Sequence, residues 1–146
     1  ADYTKTERYA PVCGKVQNPD NGSFEYYIAK YIEGAKSKGA TPILVTTVIG
    51  LKAYSNGKFV GSYTDYCHAM KNMASYYNIP CIDLNSLMVN HYNSIGYDAA
   101  YKYHLCGAVE GSTDKTHFTE TGANAVAGLV ANALKGLNLP VSQKVK

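Results

Sequence analysis

The sequence predicts an α/β fold built on parallel strands, and two observations carry this prediction. Residues 43–48 form a β-branched run without polar alternation, which is typical of a central parallel strand that is buried on both faces. Amphipathic helical stripes flank this run and a second short apolar run at 79–84, so the predicted order is α-β-α-β-α-α. Strands joined by a helix in this way imply a right-handed parallel crossover within an α/β sandwich.

The first half of the chain is predicted to hold one helix, one strand and a turn. Residues 1–22 are expected to be irregular, because prolines, glycines and the turn sequence at 18–22 interrupt them. Ser23 is placed to cap a helix, and Gly39 is placed to end it. The strand at 43–48 follows, and Asn56-Gly57 then predicts a turn or a small hairpin within 49–63.

The second half is predicted to be mainly helical. Thr64 or Asp65 is expected to cap a second helix that ends at Asn78. The second strand at 79–84 leads to a helical stretch at 85–92 and a further helical turn at 98–103. A last helix begins near Thr119 or Thr121, with apolar residues at three-to-four spacing along 123–137, and residues 138–146 are expected to be a tail.

Two parallel strands are too few for a sheet that four helices would cover. We therefore expect residues 1–146 to be the C-terminal portion of a single larger α/β domain, with further strands upstream of Ala1. The missing N-terminal part of that domain would then be the first partner of this chain. At 146 residues and 46% hydrophobic content, the chain is long and apolar enough to build a real core.

Charge and hydropathy argue against two classes of partner. The formal charge of +3 comes from scattered lysines and forms no basic face, so we expect no nucleic-acid partner. The longest apolar run, at 43–48, is far too short to cross a bilayer, and the first five residues lack a signal-peptide core. We therefore expect a soluble chain without a membrane partner.

The cysteines and histidines do not form a recognisable metal site. The four cysteines show no C-x-x-C pairing and no zinc spacing. Cys67-His68 and His104-Leu105-Cys106 could be imagined as ligands, but we favour small buried hydrophobes, because Cys67 falls on an apolar helix face. We expect no metal and no cofactor.

The polar loop before the last helix holds the best candidates for chemistry. Asp114 and His117 lie three residues apart, so a short turn can bring the carboxylate against one imidazole nitrogen and leave the other free. In a catalytic triad the acid orients the histidine, and the histidine deprotonates a serine hydroxyl. Asp114 and His117 are our candidate catalytic residues, whereas substrate-binding residues are unknown.

Three segments of the chain carry a resemblance to a known family. These are Gly-Ala-Thr-Pro-Ile-Leu-Val-Thr-Thr-Val at 39–48, Ile-Pro-Cys-Ile-Asp-Leu at 79–84, and Asp-Lys-Thr-His-Phe-Thr-Glu-Thr-Gly-Ala at 114–123. Their order and spacing resemble the second half of a GDSL/SGNH hydrolase, most of all the rhamnogalacturonan acetylesterase group. The resemblance implies a flavodoxin-like three-layer α/β/α sandwich, in which Asp114 orients and His117 acts as the general base.

The sequence also departs from that family. The family's nucleophilic serine lies in a Gly-Asp-Ser block, and its oxyanion hole uses a glycine and an asparagine of further blocks. No Gly-Asp-Ser occurs here, and Ser112 lies too close to His117 in sequence to leave room for a substrate carbonyl. His68 and His91 are expected at the helix surface, and substrate contact by His104 is the less favoured interpretation.

The resemblance implies a serine esterase that removes acetyl groups from acetylated plant cell-wall polysaccharide of the pectin or rhamnogalacturonan type. This chain would supply the Asp-His pair, and the protein would be secreted. The alternative is a non-catalytic fragment or carbohydrate-binding module that retains the SGNH scaffold.

Overall fold

Helix α1 at Phe24–Ser37 is the first regular element in a computed structural model that describes residues 9–145. Residues 9–22 contain bends and turns but no helix or strand, and residues 1–8 of the predicted irregular segment lie outside the described residues. Ser23 Oγ accepts the backbone N–H of Tyr26 at 3.2 Å, which confirms the predicted cap. Gly39 follows the helix with φ of +75°, a conformation that favours glycine, and so ends it as predicted.

The two predicted strands pair with each other but are shorter than expected. Strand β1 spans Leu44–Val45, and its partner across the parallel sheet is a second two-residue strand at Cys81–Ile82. Parallel pairing is confirmed. Burial of 43–48 on both faces is wrong for the described chain, since Val45 is 36% exposed. The described residues supply this strand with a single neighbour, so it is not the central strand of a wide, covered sheet that the prediction assumed.

The chain divides into two compact units. The first unit combines residues up to Thr46 with Tyr63–Cys81, and it contains α1, β1 and helix α2 at Thr64–Tyr76. Its core is built from Ala29, Ile32 and Met73. Helix α2 begins differently from the prediction, because its N-cap is Tyr63 in the left-handed conformation and no side chain caps the helix. Asn78, with φ of +49°, ends the helix as predicted.

A buried carboxylate joins α1 to the segment before it. Glu25 is only 1% exposed, and its two carboxylate oxygens accept the backbone N–H groups of Cys13 at 2.9 Å and Gly14 at 2.8 Å. Burial by itself raises the pKa of Glu25, but the N–H donors of Cys13 and Gly14 outweigh it, so the pKa lies below its usual value. The ionised carboxylate therefore anchors the irregular segment to the helix.

The second unit combines Thr47–Ser62 with the chain from Ile82 onward. A 3₁₀ turn at Leu51–Ala53 leads into a hairpin of β2 at Tyr54–Ser55 and β3 at Lys58–Phe59. Asn56 and Gly57 both have positive φ, as a type I′ turn requires, which confirms the predicted hairpin. The remaining elements, in chain order, are β4 at Cys81–Ile82 where the chain enters this unit, α3 at Leu84–Ile95, α4 at Tyr97–Tyr101, a 3₁₀ turn at Leu105–Gly107, α5 at Glu120–Lys135 and a 3₁₀ turn at Pro140–Lys144.

Aromatic packing and one amide fasten the hairpin to α3. The Phe59 ring packs edge-on against buried Tyr92, with 5.0 Å between ring centroids. The Asn93 side chain accepts the Phe59 N–H at 2.8 Å and donates to the Phe59 carbonyl at 3.0 Å. The expected tail at 138–146 instead holds a 3₁₀ turn, because Ser142 is buried and its hydroxyl donates to the Leu134 carbonyl of α5. The assignment of residues 1–146 to part of one domain stays a prediction.

Candidate active site

A single turn brings Asp114 and His117 together. Asp114 Oδ1 accepts the backbone N–H groups of Thr116 at 2.8 Å and His117 at 2.9 Å, which closes an Asx-type turn. The other carboxylate oxygen, Oδ2, lies 2.7 Å from His117 Nδ1. The spacing of three residues therefore produces the contact that the sequence predicts. The Asp114 carboxylate both closes the turn and contacts the His117 imidazole at its end.

The electrostatics of the pair set its protonation. The backbone N–H of His117, then that of Thr116, and then the imidazole of His117 lower the pKa of Asp114 to about 2. An ionised carboxylate can only accept, so His117 Nδ1 carries the proton that faces it. Nε2 on the opposite side of the ring is then the basic nitrogen, on a side chain that is 76% exposed. The arrangement can take up a proton at Nε2 and stabilise the resulting imidazolium.

Antiparallel backbone pairing holds the site loop, which we define as residues 111–118. The residues that precede it by about ten positions run alongside it, with an isolated bridge between His104 and Phe118. Three backbone bonds close the pairing: Leu105 N–H to the His117 carbonyl at 3.1 Å, Cys106 N–H to the Asp114 carbonyl at 2.9 Å, and Thr119 N–H to the Tyr103 carbonyl at 2.9 Å.

The start of α5 holds the end of the site loop. Thr119, one of the two predicted caps, accepts the Gly122 N–H at 3.1 Å, and its hydroxyl donates to the Lys102 carbonyl at 3.2 Å. A side chain at Gly122 would collide with the backbone of Tyr103. The close approach of the two backbones therefore requires glycine at this position.

The other side of the loop meets the segment before the hairpin. Leu51 N–H donates to the Lys115 carbonyl at 3.0 Å. A Cβ built on Gly50 would lie 2.7 Å from the same carbonyl oxygen. Sequence reasoning missed this glycine because nothing near it in the chain signals a contact with residues 65 positions away.

The remaining sequence candidates lie apart from the chemistry. Ser112 Oγ accepts the Asp114 N–H at 3.3 Å, so this hydroxyl stabilises the loop. His68 is exposed on α2, as expected. His91 is half-buried, and its ring stacks on Tyr103 with 5.9 Å between centroids. No group of three potential metal ligands occurs among residues 9–145.

His104 is the most buried of the four histidines, which agrees with the interpretation that it does not contact substrate. Its side chain is fully buried, with Nε2 at 3.0 Å from the Tyr92 hydroxyl. It therefore packs behind the site loop and does not reach a substrate directly. The residues next to His104 in the sequence gave no signal for this, since its partner is a tyrosine on α3.

Comparison with solved structures defines the fold class. The chain matches the crystal structure of protein YXIM from Bacillus subtilis with a TM-score of 0.72 and 24% identity, over 83% of this chain and 33% of that one. This confirms the predicted α/β fold of the SGNH hydrolases. None of the described helices is both long enough and apolar enough to cross a bilayer.

Comparison with curated proteins shows which group of hydrolases the chain resembles. The chain is 39% identical over 123 residues to a probable rhamnogalacturonan acetylesterase, YesY, of Bacillus subtilis strain 168, covering 84% of this chain and 55% of that protein. It is 30% identical over 126 residues to the rhamnogalacturonan acetylesterase RhgT of the same strain, covering 82% and 54%. No family model matches the chain.

The predicted resemblance to the GDSL/SGNH hydrolases, and within them to the rhamnogalacturonan acetylesterase group, is confirmed. The chain spans about half the length of the curated relatives that it matches. The catalytic roles of Asp114 and His117 stay predictions.

Proposed function

We propose that this chain carries the acid–base half of a serine-dependent acetylesterase that acts on acetylated pectic polysaccharide of the rhamnogalacturonan type. The observation that supports this most is the 2.7 Å contact between the ionised Asp114 and His117 Nδ1, with Nε2 on an exposed side chain. The names of the relatives supply the substrate class. By the same likeness the protein would be secreted.

The mechanism follows from the protonation of the pair. His117 Nε2 removes the proton of a serine hydroxyl as the serine oxygen attacks the acetyl carbonyl carbon. The tetrahedral intermediate collapses, the sugar oxygen leaves with the proton held by His117, and an acetyl-enzyme remains. Water then attacks this ester while Nε2 takes a proton from the water. The second tetrahedral intermediate collapses, Nε2 returns that proton to the serine oxygen, and acetic acid leaves and ionises to acetate. Asp114 keeps the imidazole oriented and stabilises its cationic form throughout.

The sequence has no Gly-Asp-Ser block. The nucleophilic serine and the oxyanion donors of this mechanism therefore have to come from a polypeptide segment that these 146 residues do not contain. The 146-residue chain alone is therefore expected not to react with a fluorophosphonate probe. We also expect no hydrolysis of p-nitrophenyl acetate beyond the rate of free imidazole, because one oxyanion donor alone is commonly worth about 10²–10³ in rate. Stoichiometric labelling of the chain would contradict the proposal and direct attention to Ser112.

The deciding experiment replaces the proposed base in the protein as its source produces it, after intact mass and N-terminal sequencing show whether a Gly-Asp-Ser segment is present. His117→Ala is expected to lower kcat on acetylated rhamnogalacturonan by several orders of magnitude. The free energy of unfolding should change by no more than about 1 kcal/mol, because the side chain is mostly exposed. His68→Ala on α2 is the matched control, since it removes an exposed imidazole that is distant in sequence from the site loop.

A stable His117→Ala protein with near-native kcat would refute the proposed role. A fall in melting temperature with kcat preserved in the folded fraction would mean that His117 is structural. Absence of the serine segment from the native protein, together with binding to the polysaccharide, would favour a non-catalytic carbohydrate-binding chain.

A further inference from the structure

A buried histidine lies directly behind the site loop. His104 is fully buried, and its Nε2 lies 3.0 Å from the hydroxyl of Tyr92, which is itself fully buried on α3. Its Nδ1 is the buried side-chain polar atom that has no hydrogen-bond partner among the described residues. Buried polar atoms are nearly always paired, so an unpaired one calls for an explanation.

The backbone of His104 belongs to the pairing that holds the loop. His104 bridges Phe118, and their rings pack with 5.0 Å between centroids. The next two residues, Leu105 and Cys106, donate to the carbonyls of His117 and Asp114. The orientation of the His104 ring therefore affects the backbone at 104–106, which is hydrogen-bonded to both candidate catalytic residues.

The hydrogen bond with Tyr92 is compatible with either tautomer of His104, and the polar groups around the ring favour one of them. Burial raises the pKa of Tyr92, so its hydroxyl stays protonated and can donate to His104 Nε2. Burial likewise lowers the pKa of His104, while the backbones of Thr116 and His117 and the charge of Asp114 offset part of that shift. A neutral ring that accepts at Nε2 carries its proton on Nδ1. Nδ1 has no partner at full hydrogen-bond geometry among the described residues, but the two backbones that raise the pKa of His104 belong to the site loop.

We propose that His104 is a positioning residue for His117. Tyr92 donates to Nε2 and holds His104 as the Nδ1–H tautomer. The loop backbone at Thr116 and His117 is then the acceptor that this buried, unpaired N–H needs, and their attraction restrains the loop from behind. The restraint keeps the His117 ring against Asp114. Its consequence for catalysis rests on the proposed function, whereas the tautomer and the restraint do not.

The tautomer is tested first, on the 146-residue chain with ¹⁵N-labelled histidine. Long-range ¹H–¹⁵N correlation spectra at neutral pH distinguish a protonated nitrogen from a bare one in each ring. We expect His104 as the Nδ1–H form in the unsubstituted chain, and a mixture of tautomers in Tyr92→Phe, which removes only the hydroxyl. An Nε2–H form in the unsubstituted chain would overturn the proposal.

The restraint is tested with two substitutions that each keep one half of the ring's hydrogen bonding. The Asn side chain places an N–H near the position of Nδ1, and the longer Gln places an acceptor oxygen near the position of Nε2. The readout is hydrogen exchange of the Leu105 and Cys106 amides relative to amides in the middle of α5, which report global opening. His104→Gln is expected to speed loop exchange about tenfold over that reference, and His104→Asn by much less, because one hydrogen bond is at stake.

His91→Gln is the matched control. His91 Nε2 lies 3.4 Å from the Tyr103 hydroxyl, so this is a second Tyr–His pair one position earlier on each element, but only part-buried. His91→Gln should leave hydrogen exchange of the Leu105 and Cys106 amides within about twofold of the unsubstituted chain, since the hydrogen bond of His91 is long and partly exposed. Equal protection in His104→Gln and His104→Asn, or equal loss in His91→Gln, would overturn the restraint.

The catalytic consequence is measured separately in the protein as its source produces it. Tyr92→Phe is expected to lower kcat about tenfold with little change in KM, because a small displacement of a catalytic group mainly affects the chemical step. Faster loop exchange with unchanged kcat would overturn positioning. An unsubstituted protein without acetylesterase activity would refute the proposed function alone, since the two measurements on the 146-residue chain are unaffected.

Discussion

Gly50 offers a sharp test of how the site loop is supported. Its φ of −108° and ψ of −179° lie in ordinary extended backbone, so alanine would adopt them without conformational strain. An alanine Cβ would nevertheless lie 2.7 Å from the Lys115 carbonyl oxygen. Reaching an ordinary contact of 3.4 Å moves the two backbones apart by about 0.7 Å.

That displacement has two energetic consequences. Overpacking against backbone costs roughly 1–3 kcal/mol where the neighbours cannot move freely. Here the adjacent Leu51 N–H is hydrogen-bonded to the same carbonyl at 3.0 Å, so separating the backbones also weakens that bond. We expect Gly50→Ala to destabilise the 146-residue chain by about 1–3 kcal/mol.

The assay is urea unfolding followed by circular dichroism, with amide chemical shifts recorded on the folded protein. Gly128→Ala is the matched control, because Gly128 lies on α5 in the same unit and its Cβ would meet nothing within 4 Å. Alanine there should stabilise the chain by roughly 0.5–1 kcal/mol, since glycine is a poor helix former. Gly50→Ala with unchanged stability and unchanged shifts at 115–117 would refute the reasoning.

Three further predictions concern single side chains. Glu25→Gln should lower the free energy of unfolding by about 1–3 kcal/mol at neutral pH, because an amide cannot accept from both N–H groups. Since the folded-state pKa of Glu25 is lowered, the stability that its carboxylate adds should be present above pH 4.5 and should fade as pH falls through the folded-state pKa. A difference in urea unfolding that does not change with pH would contradict this. The Asp114 carboxyl should titrate near pH 2 by ¹³C NMR, with a midpoint at the ordinary 3.8 refuting its hydrogen bonding, and Asp114→Asn should lower kcat less than His117→Ala does. Gly57→Ala should destabilise the hairpin by about 1–2 kcal/mol in a thermal melt although space is open around it, because alanine resists φ of +79°, and unchanged stability would show that the turn relaxes.

Features that depend on a few consecutive residues were predictable. Ser23 caps α1 and Gly39 ends it, since each acts on backbone groups within one turn. Asn56-Gly57 forms the hairpin turn because both residues accept positive φ. The contact of Asp114 with His117 belongs to the same class, because the carboxylate also closes the turn that joins them.

The strand lengths were not predictable from the apolar run alone. A run of β-branched residues indicates extended backbone, but a ladder continues only as far as a neighbour supplies partners. In the described chain, the strand that pairs with such a neighbour spans only Leu44–Val45. Val45 and Val48 are exposed in the described chain, which the apolar run by itself does not indicate.

The support of the candidate site was decided by contacts between residues distant in sequence. Gly50 is required by the backbone of Lys115, Gly122 by that of Tyr103, and the buried His104 is hydrogen-bonded to Tyr92. Each of these contacts is a close approach or a hydrogen bond that forms only when separate elements pack together. The sequence around either residue of the pair therefore gives no sign of the contact. Periodicity and turn chemistry act over a few bonds of the chain, whereas excluded volume and buried hydrogen bonding act across space.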